Sequence, residues 1–163
     1  MAVFMFLTAD GIEGEIQSTG HEGAIEVFKY DISVAQPSSS VSASGGIVGG
    51  QADFGNLMIE KIIDKTTPNL ALYCASGKPI AKVQLDLCEA NEDKTIFMSY
   101  ILEGCMITKV EAGGESKTEE IKPLETISFA YGKITWEYTP TTIEGSTEAA
   151  IANTWNLATH AKE

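Results

Sequence analysis

Apolar and polar residues alternate one by one in many stretches of this chain, and that period of two predicts strands. Residues 3–8 form the first strand, and Asp10-Gly11 the turn after it. A longer strand is predicted over 25–34, with Phe28, Tyr30, Ile32 and Val34 on one face and Val27, Lys29, Asp31 and Ser33 on the other. One face is oily and the other largely polar, which suits a sheet whose second face meets water. Residues 56–63 resume strand character through Leu57, Ile59 and Ile63, and residues 80–87 alternate again. Residues 95–102 and 106–110 read as two strands or as one bent at Gly104. Over 126–138 the apolar set changes parity, from Ile127, Phe129 and Tyr131 to Ile134, Trp136 and Tyr138. One face can hold both sets only if an extra residue intervenes, so a bulge is predicted at Gly132-Lys133. Trp155-Asn156-Leu157 marks a last strand.

Two segments depart from the alternation. In the first, Asp64, Thr66 or Thr67 can cap a helix, Pro68 fits its first position, and Leu70, Tyr73 and Cys74 fall on one stripe. Gly77 ends it. So short a helix must pack against the sheets. The second, residues 36–55, is rich in serine and glycine and reads as one long loop; before Phe54 its only bulky members are Val41, Ile47 and Val48. Apolar residues at the tip of such a loop suggest docking onto another copy. The whole is mainly β: an antiparallel barrel or two-sheet sandwich with one short flanking helix, forming one domain over 1–163.

Charge narrows the partners. There are 23 acidic residues against 11 basic ones, all of them lysine, for a formal net charge of −12. Without the bidentate fork of arginine, and with an acidic surface, nucleic-acid binding is not expected. No stretch is long and apolar enough to insert in a membrane, and the apolar start lacks the basic region of a cleavable leader. Cys74, Cys88 and Cys105 form no CxxC pair and read as buried free thiols, which suits folding in a reducing compartment.

Candidate chemistry is sparse. His21 and His160 read as exposed loop histidines, with no nucleophile motif beside them. No Cys or His pair stands at metal-ligand spacing, and Asn91-Glu92-Asp93 reads as a solvated hairpin tip. The run Gly45-Gly46-Ile47-Val48-Gly49-Gly50 lacks the Lys-Ser or Lys-Thr and the following helix of a phosphate loop. No catalytic residue, metal or cofactor is expected.

Several segments taken together resemble the Hcp (haemolysin-coregulated protein) family of type VI secretion. The opening, residues 3–15 with Asp10-Gly11-Ile12-Glu13-Gly14-Glu15, is similar to the family's first hairpin, and Ile25-Glu26-Val27 and the serine/glycine-rich loop that follows are similar to the family pattern. Asp64-Lys65-Thr66-Thr67-Pro68-Asn69-Leu70 and Ser76-Gly77-Lys78 resemble its capped helix. Lys133-Ile134-Thr135-Trp136-Glu137-Tyr138 and Thr154-Trp155-Asn156-Leu157 resemble its last two strands. The resemblance implies a non-enzymatic subunit of hexameric rings. These stack into a hollow tube expelled by a contractile sheath and tipped by a spike protein, with effector proteins held in the lumen. Such a protein starts in the cytoplasm and leaves through the secretion machine. On that footing Lys29, Asp31 and Ser33 are expected to face the lumen, and Val41, Ile47 and Val48 to lie in a loop between rings. The lack of arginine leaves ring contacts to hydrogen bonds, apolar surface and lysine pairs. The alternatives are a phage or phage-like tail-tube subunit and a monomeric β-sandwich binding module. The second would expose aromatic residues, whereas Trp136 and Trp155 alternate with polar neighbours as core positions do.

Overall fold

A computed structural model describes residues 2–41, 46–116 and 122–163. In chain order the first strands are β1 (Val3–Ala9), β2 (Ile25–Val27), β3 (Lys29–Asp31) and β4 (Val34–Ala35). Then come β5 (Ser38–Val41), β6 (Gly46–Gly49), β7 (Asp53–Phe54), β8 (Leu57–Ile62) and the helix α1 (Thr67–Ser76). After it lie β9 (Ile80–Glu89), β10 (Ile96–Gly113), β11 (Leu124–Ala130), β12 (Lys133–Tyr138), β13 (Ile151–Asn156) and β14 (Ala161–Lys162).

All pairings are antiparallel. One sheet runs β14-β13-β12-β10-β9-β1-β2, using the N-terminal half of β10. The other runs β10-β11-β8-β3 and uses its C-terminal half. The long strand therefore belongs to both, bent at Gly104, whose φ of 62° is open to glycine at little cost. Leu57 and Ile59 of β8, Ile127 and Phe129 of β11, and Leu85 and Leu102 of the larger sheet meet in the core between the two.

The chain changes sheet at two further corners, and each corrects a sequence expectation. Residues 25–34 are not one strand. β2 pairs with β1, β3 pairs with β8, and the turn at Phe28 swaps the buried parity: Ile25 and Val27 are buried before it, Tyr30 and Ile32 partly buried after it. Phe28 and Val34 consequently lie exposed, 48% and 54% respectively. Residues 126–138 are likewise two strands in two sheets. The parity change at Gly132 is a corner, not a bulge, held by the Gly132 N–H donating to the Glu103 carbonyl at 3.0 Å, beside the bend of β10. A register shift of the bulge type occurs instead inside β10, between Ile107 and Lys109.

The helix follows the expected plan at its end, where Gly77 adopts φ 66° and donates to the Cys74 carbonyl at 3.3 Å. Leu70 is fully buried, with Tyr73 and Cys74 half-buried beside it, and α1 packs on β10. At its start the cap falls on one of the three candidates, with Pro68 in the first positions of the helix, but without the capping bond. Thr66 is the N-cap residue without a capping side-chain bond, and its hydroxyl goes to Asp64. His21 is also corrected. It is buried, stacked on Phe6 with ring centroids 4.5 Å apart, in a small satellite core with Ala24 and Cys88. The thiols are free; Cys88 and Cys105 are buried and Cys74 partly so.

Candidate functional site

The outward face of the four-stranded sheet carries polar and charged side chains in an ordered array. Register sets its side chains in cross-strand rows: Lys29, Glu60, Thr126, Glu111 in one, and Asp31, Met58, Ser128, Lys109 in the next. Charges of opposite sign thus neighbour one another across and along the strands. Lys109 and Glu111 pair at 2.6 Å, both well exposed. The hydrogen bond and charge of that ammonium hold the Glu111 carboxyl below its ordinary range. Beneath the band lies a shallow depression of about 200 Å³ bordered by Lys29, Met58, Glu60 and Thr126.

Two of the three residues expected at a lumen, Lys29 and Asp31, stand exposed in these rows. Ser33 does not share the ladder. It sits just beyond, where its carbonyl accepts the Gly55 N–H at 2.9 Å. A side chain on Gly55 would run into the Ser33 hydroxyl, which would have to turn to another rotamer to admit it.

Both edges of this sheet are open among the described residues. β3 pairs with β8 alone, and residues 106–113 of β10 pair with β11 alone. Open edges of this kind carry unpaired backbone donors and acceptors ready to join another strand.

Residues 36–55, expected as a loop, belong to an arm with two ladders of its own. β4 pairs with β7 at its root, next to Ser33, and β5 with β6 at its outer part. Between the ladders the Gln36 amide donates to the Gly50 carbonyl, and the Gly50 N–H to the Pro37 carbonyl at 2.9 Å. Phe54 stacks over both Trp136 and Trp155, and Gln51 bonds to His160 at 3.0 Å, so the root is pinned to the larger sheet. The two tryptophans are partly buried, packed against Phe54 and the edge of the core. Ile47 is 80% exposed. The side chains of Val41 and Val48 lie outside those described, as do residues 42–45.

An ionic cluster that sequence reasoning missed lies under the polar face. Lys61 and Glu125, opposite each other on β8 and β11, are both 1% exposed and in direct contact. Lys61 also pairs with Asp64 at 2.9 Å, and the Thr67 hydroxyl donates to Glu125 at 2.7 Å. The other Glu125 oxygen is buried without a partner among the described residues. The cluster ties the sheet to the start of α1. Parity could have found it: Lys61 continues the inward series Leu57, Ile59, and Glu125 precedes Ile127, Phe129.

The family model described as "Type VI secretion system effector, Hcp" matches residues 6–138. Protein hcp1 of Pseudomonas aeruginosa is 28% identical over 159 residues, 96% of either chain. A solved structure described as that of "a type six secretion system protein" superposes with a TM-score of 0.93 at 26% identity, over 99% of this chain and 100% of that one. Hcp1 from Salmonella typhimurium superposes with a TM-score of 0.81 at 27% identity, over the full length of both.

Proposed function

The chain belongs to the Hcp family of type VI secretion proteins, and from that premise we propose that it is the repeating subunit of a hollow secretion tube. Six copies close a ring, and rings stack into the tube. A sheath surrounds it, a spike protein caps its tip, and effector proteins travel in its lumen. The family is one of structural, secreted type VI proteins, and no catalytic step enters this reading.

The observation that supports it best is the four-stranded sheet with two open edges. Edge-to-edge pairing of β3 with the C-terminal half of β10 in the next copy is a head-to-tail contact, which yields a closed ring when the rotation per copy is right. Six sheets joined this way give a continuous wall, and the charged face carrying Lys29 and Asp31 lines it. A mixed-charge, wet surface suits a channel through which folded cargo must pass without sticking. Ser33 marks the mouth of that channel. The arm, with Val41, Ile47 and Val48, reaches across the boundary between stacked rings. The protein is made in the cytoplasm, where its three thiols stay reduced, and leaves through the secretion machine.

Cysteine placed at Lys29 or Asp31 tests the lumen assignment. In the assembled ring it should react with small maleimides and be shielded from reagents too large to enter. Equal labelling by a bulky reagent would put these residues on the outside and end the assignment.

A further inference from the structure

We propose that the aromatic pocket beneath Phe54 binds a small neutral aromatic molecule with one hydroxyl group, of the size of phenol. Its walls all come from one protomer, so the site does not depend on the tube reading.

The pocket lies at the root of the arm, against the core face of the larger sheet. Tyr100 of β10 and Trp136 of β12 are cross-strand partners there, each packed against the core. Ile134 stands on the same face, Tyr131 lies beside the Gly132 corner, and Ile32 comes from the chain just after β3. Phe54 completes the wall, stacked on Trp136 with ring centroids 6.3 Å apart. Together these side chains leave about 140 Å³ unfilled. Protein interiors are otherwise close-packed, and a void of this size is costly to keep. Ser33 and Val34, both exposed, also border it, so it can be reached from solvent.

Size, charge and polarity select the ligand. An apolar cavity of about 150 Å³ holds one benzene ring. Among the described residues no charged side chain borders this pocket, so an ion would lose its water without gaining a counter-charge. Four aromatic side chains offer ring faces and edges, the preferred neighbours of another aromatic ring. Polarity enters through Tyr100. Its hydroxyl and that of Tyr30 share a single bond of 3.4 Å, so one of their two protons has no acceptor among the described residues. The Tyr131 hydroxyl is already engaged, donating to the Gly55 carbonyl at 2.8 Å. Burial and the Tyr30 bond push the Tyr100 phenol up to about 12, which keeps it a donor near neutrality. The oxygen of a ligand hydroxyl can accept that free proton. Because Phe54 is part of the wall, a bound ring favours the state in which the root of the arm is packed on the larger sheet.

Phenol, with benzene as the ring that lacks the hydroxyl, tests the site on the full chain. The chain has two tryptophans, and Trp155→Phe leaves Trp136 as the sole emitter, a reporter in the pocket wall. Its emission should change saturably with either probe, with a dissociation constant on the order of 1 mM, as suits ligands of so few atoms. Phenol should also raise the thermal midpoint of the parent chain, and raise it further with concentration. Tyr100→Phe should weaken phenol about fivefold and leave benzene unchanged. An emission change that never saturates, with no rise in the midpoint, overturns the proposal. If Trp155→Phe does not fold, the midpoint of the parent decides alone. Equal weakening of both probes by Tyr100→Phe overturns the role given to its hydroxyl. Binding to the dilute protomer that vanishes in an assembled ring would mean that a neighbouring copy fills the pocket, and the ligand site would fall.

Discussion

At the scale of single residues, the buried ammonium of Lys61 makes the sharpest energetic statement. Its contacts with Glu125, Asp64 and the Ile62 carbonyl offset the loss of water, but each depends on the others. Lys61→Met should lower unfolding free energy by about 3–5 kcal/mol, because Glu125 would be left charged and unpaired in the core. Adding Glu125→Leu should recover most of that loss, and chemical denaturation of the two variants checks it. Additive losses would mean that the pair acts independently. Asp64 sets a pH dependence. Burial raises its carboxyl, but hydrogen bonds from Thr66 and Lys61 and the Lys61 charge outweigh that, and the net value lies below 3.8. A group depressed in the folded state stabilises above its unfolded pKa, and that contribution fades as pH falls through the folded value. The stability gap between the parent and Asp64→Asn should therefore be widest near neutrality and narrow in strong acid. A gap independent of pH would contradict the assignment.

At the scale of elements, the fold turns on its corners. A Cβ on Gly104 would have space, its nearest neighbour being the Gly132 nitrogen at 3.9 Å, so glycine is needed there for conformation and not for room. Gly104→Ala should accordingly cost about 1–2 kcal/mol from the left-handed backbone alone, readable in thermal unfolding. Removing residues 39–50 should leave the unfolding transition close to the parent's, since the outer ladder of the arm pairs only within itself and trimming a loop changes closure entropy little. Loss of folding would place the arm in the core instead.

Alternation makes most strands legible, and Pro68 with Gly77 makes the helix legible. What alternation cannot tell is whether a change of parity means a bulge within one strand or a passage between sheets. At Phe28 the pattern gives no sign of the passage, and at Gly132 the passage looks like a bulge. The difference lies in which strands pair, a property of distant segments. The arm is hidden for a related reason. Ser and Gly have weak strand preference, and the β5–β6 ladder stands beyond a root that Gln36, Phe54 and Gln51 hold through contacts with distant residues. The charged outward face proposed to line a lumen is half legible: Lys29 and Asp31 stand out in the alternation, but Glu60, Lys109, Glu111 and Thr126 join them only through register.

At the scale of the whole molecule, charge works against assembly. Each protomer carries a formal −12, and a ring gathers six such charges around one axis. Raising ionic strength should screen this repulsion and shift the balance toward rings and stacks, which sedimentation velocity at low and high salt can follow. A ring fraction that falls with salt would mean that ion pairs between copies dominate instead. The account as a whole requires that copies complete one another's open edges around a hole. Native mass spectrometry of the purified chain at rising concentration tests this most directly. The account predicts a species of six times the 17.5 kDa protomer mass; a protein that stays monomeric at every concentration would contradict it.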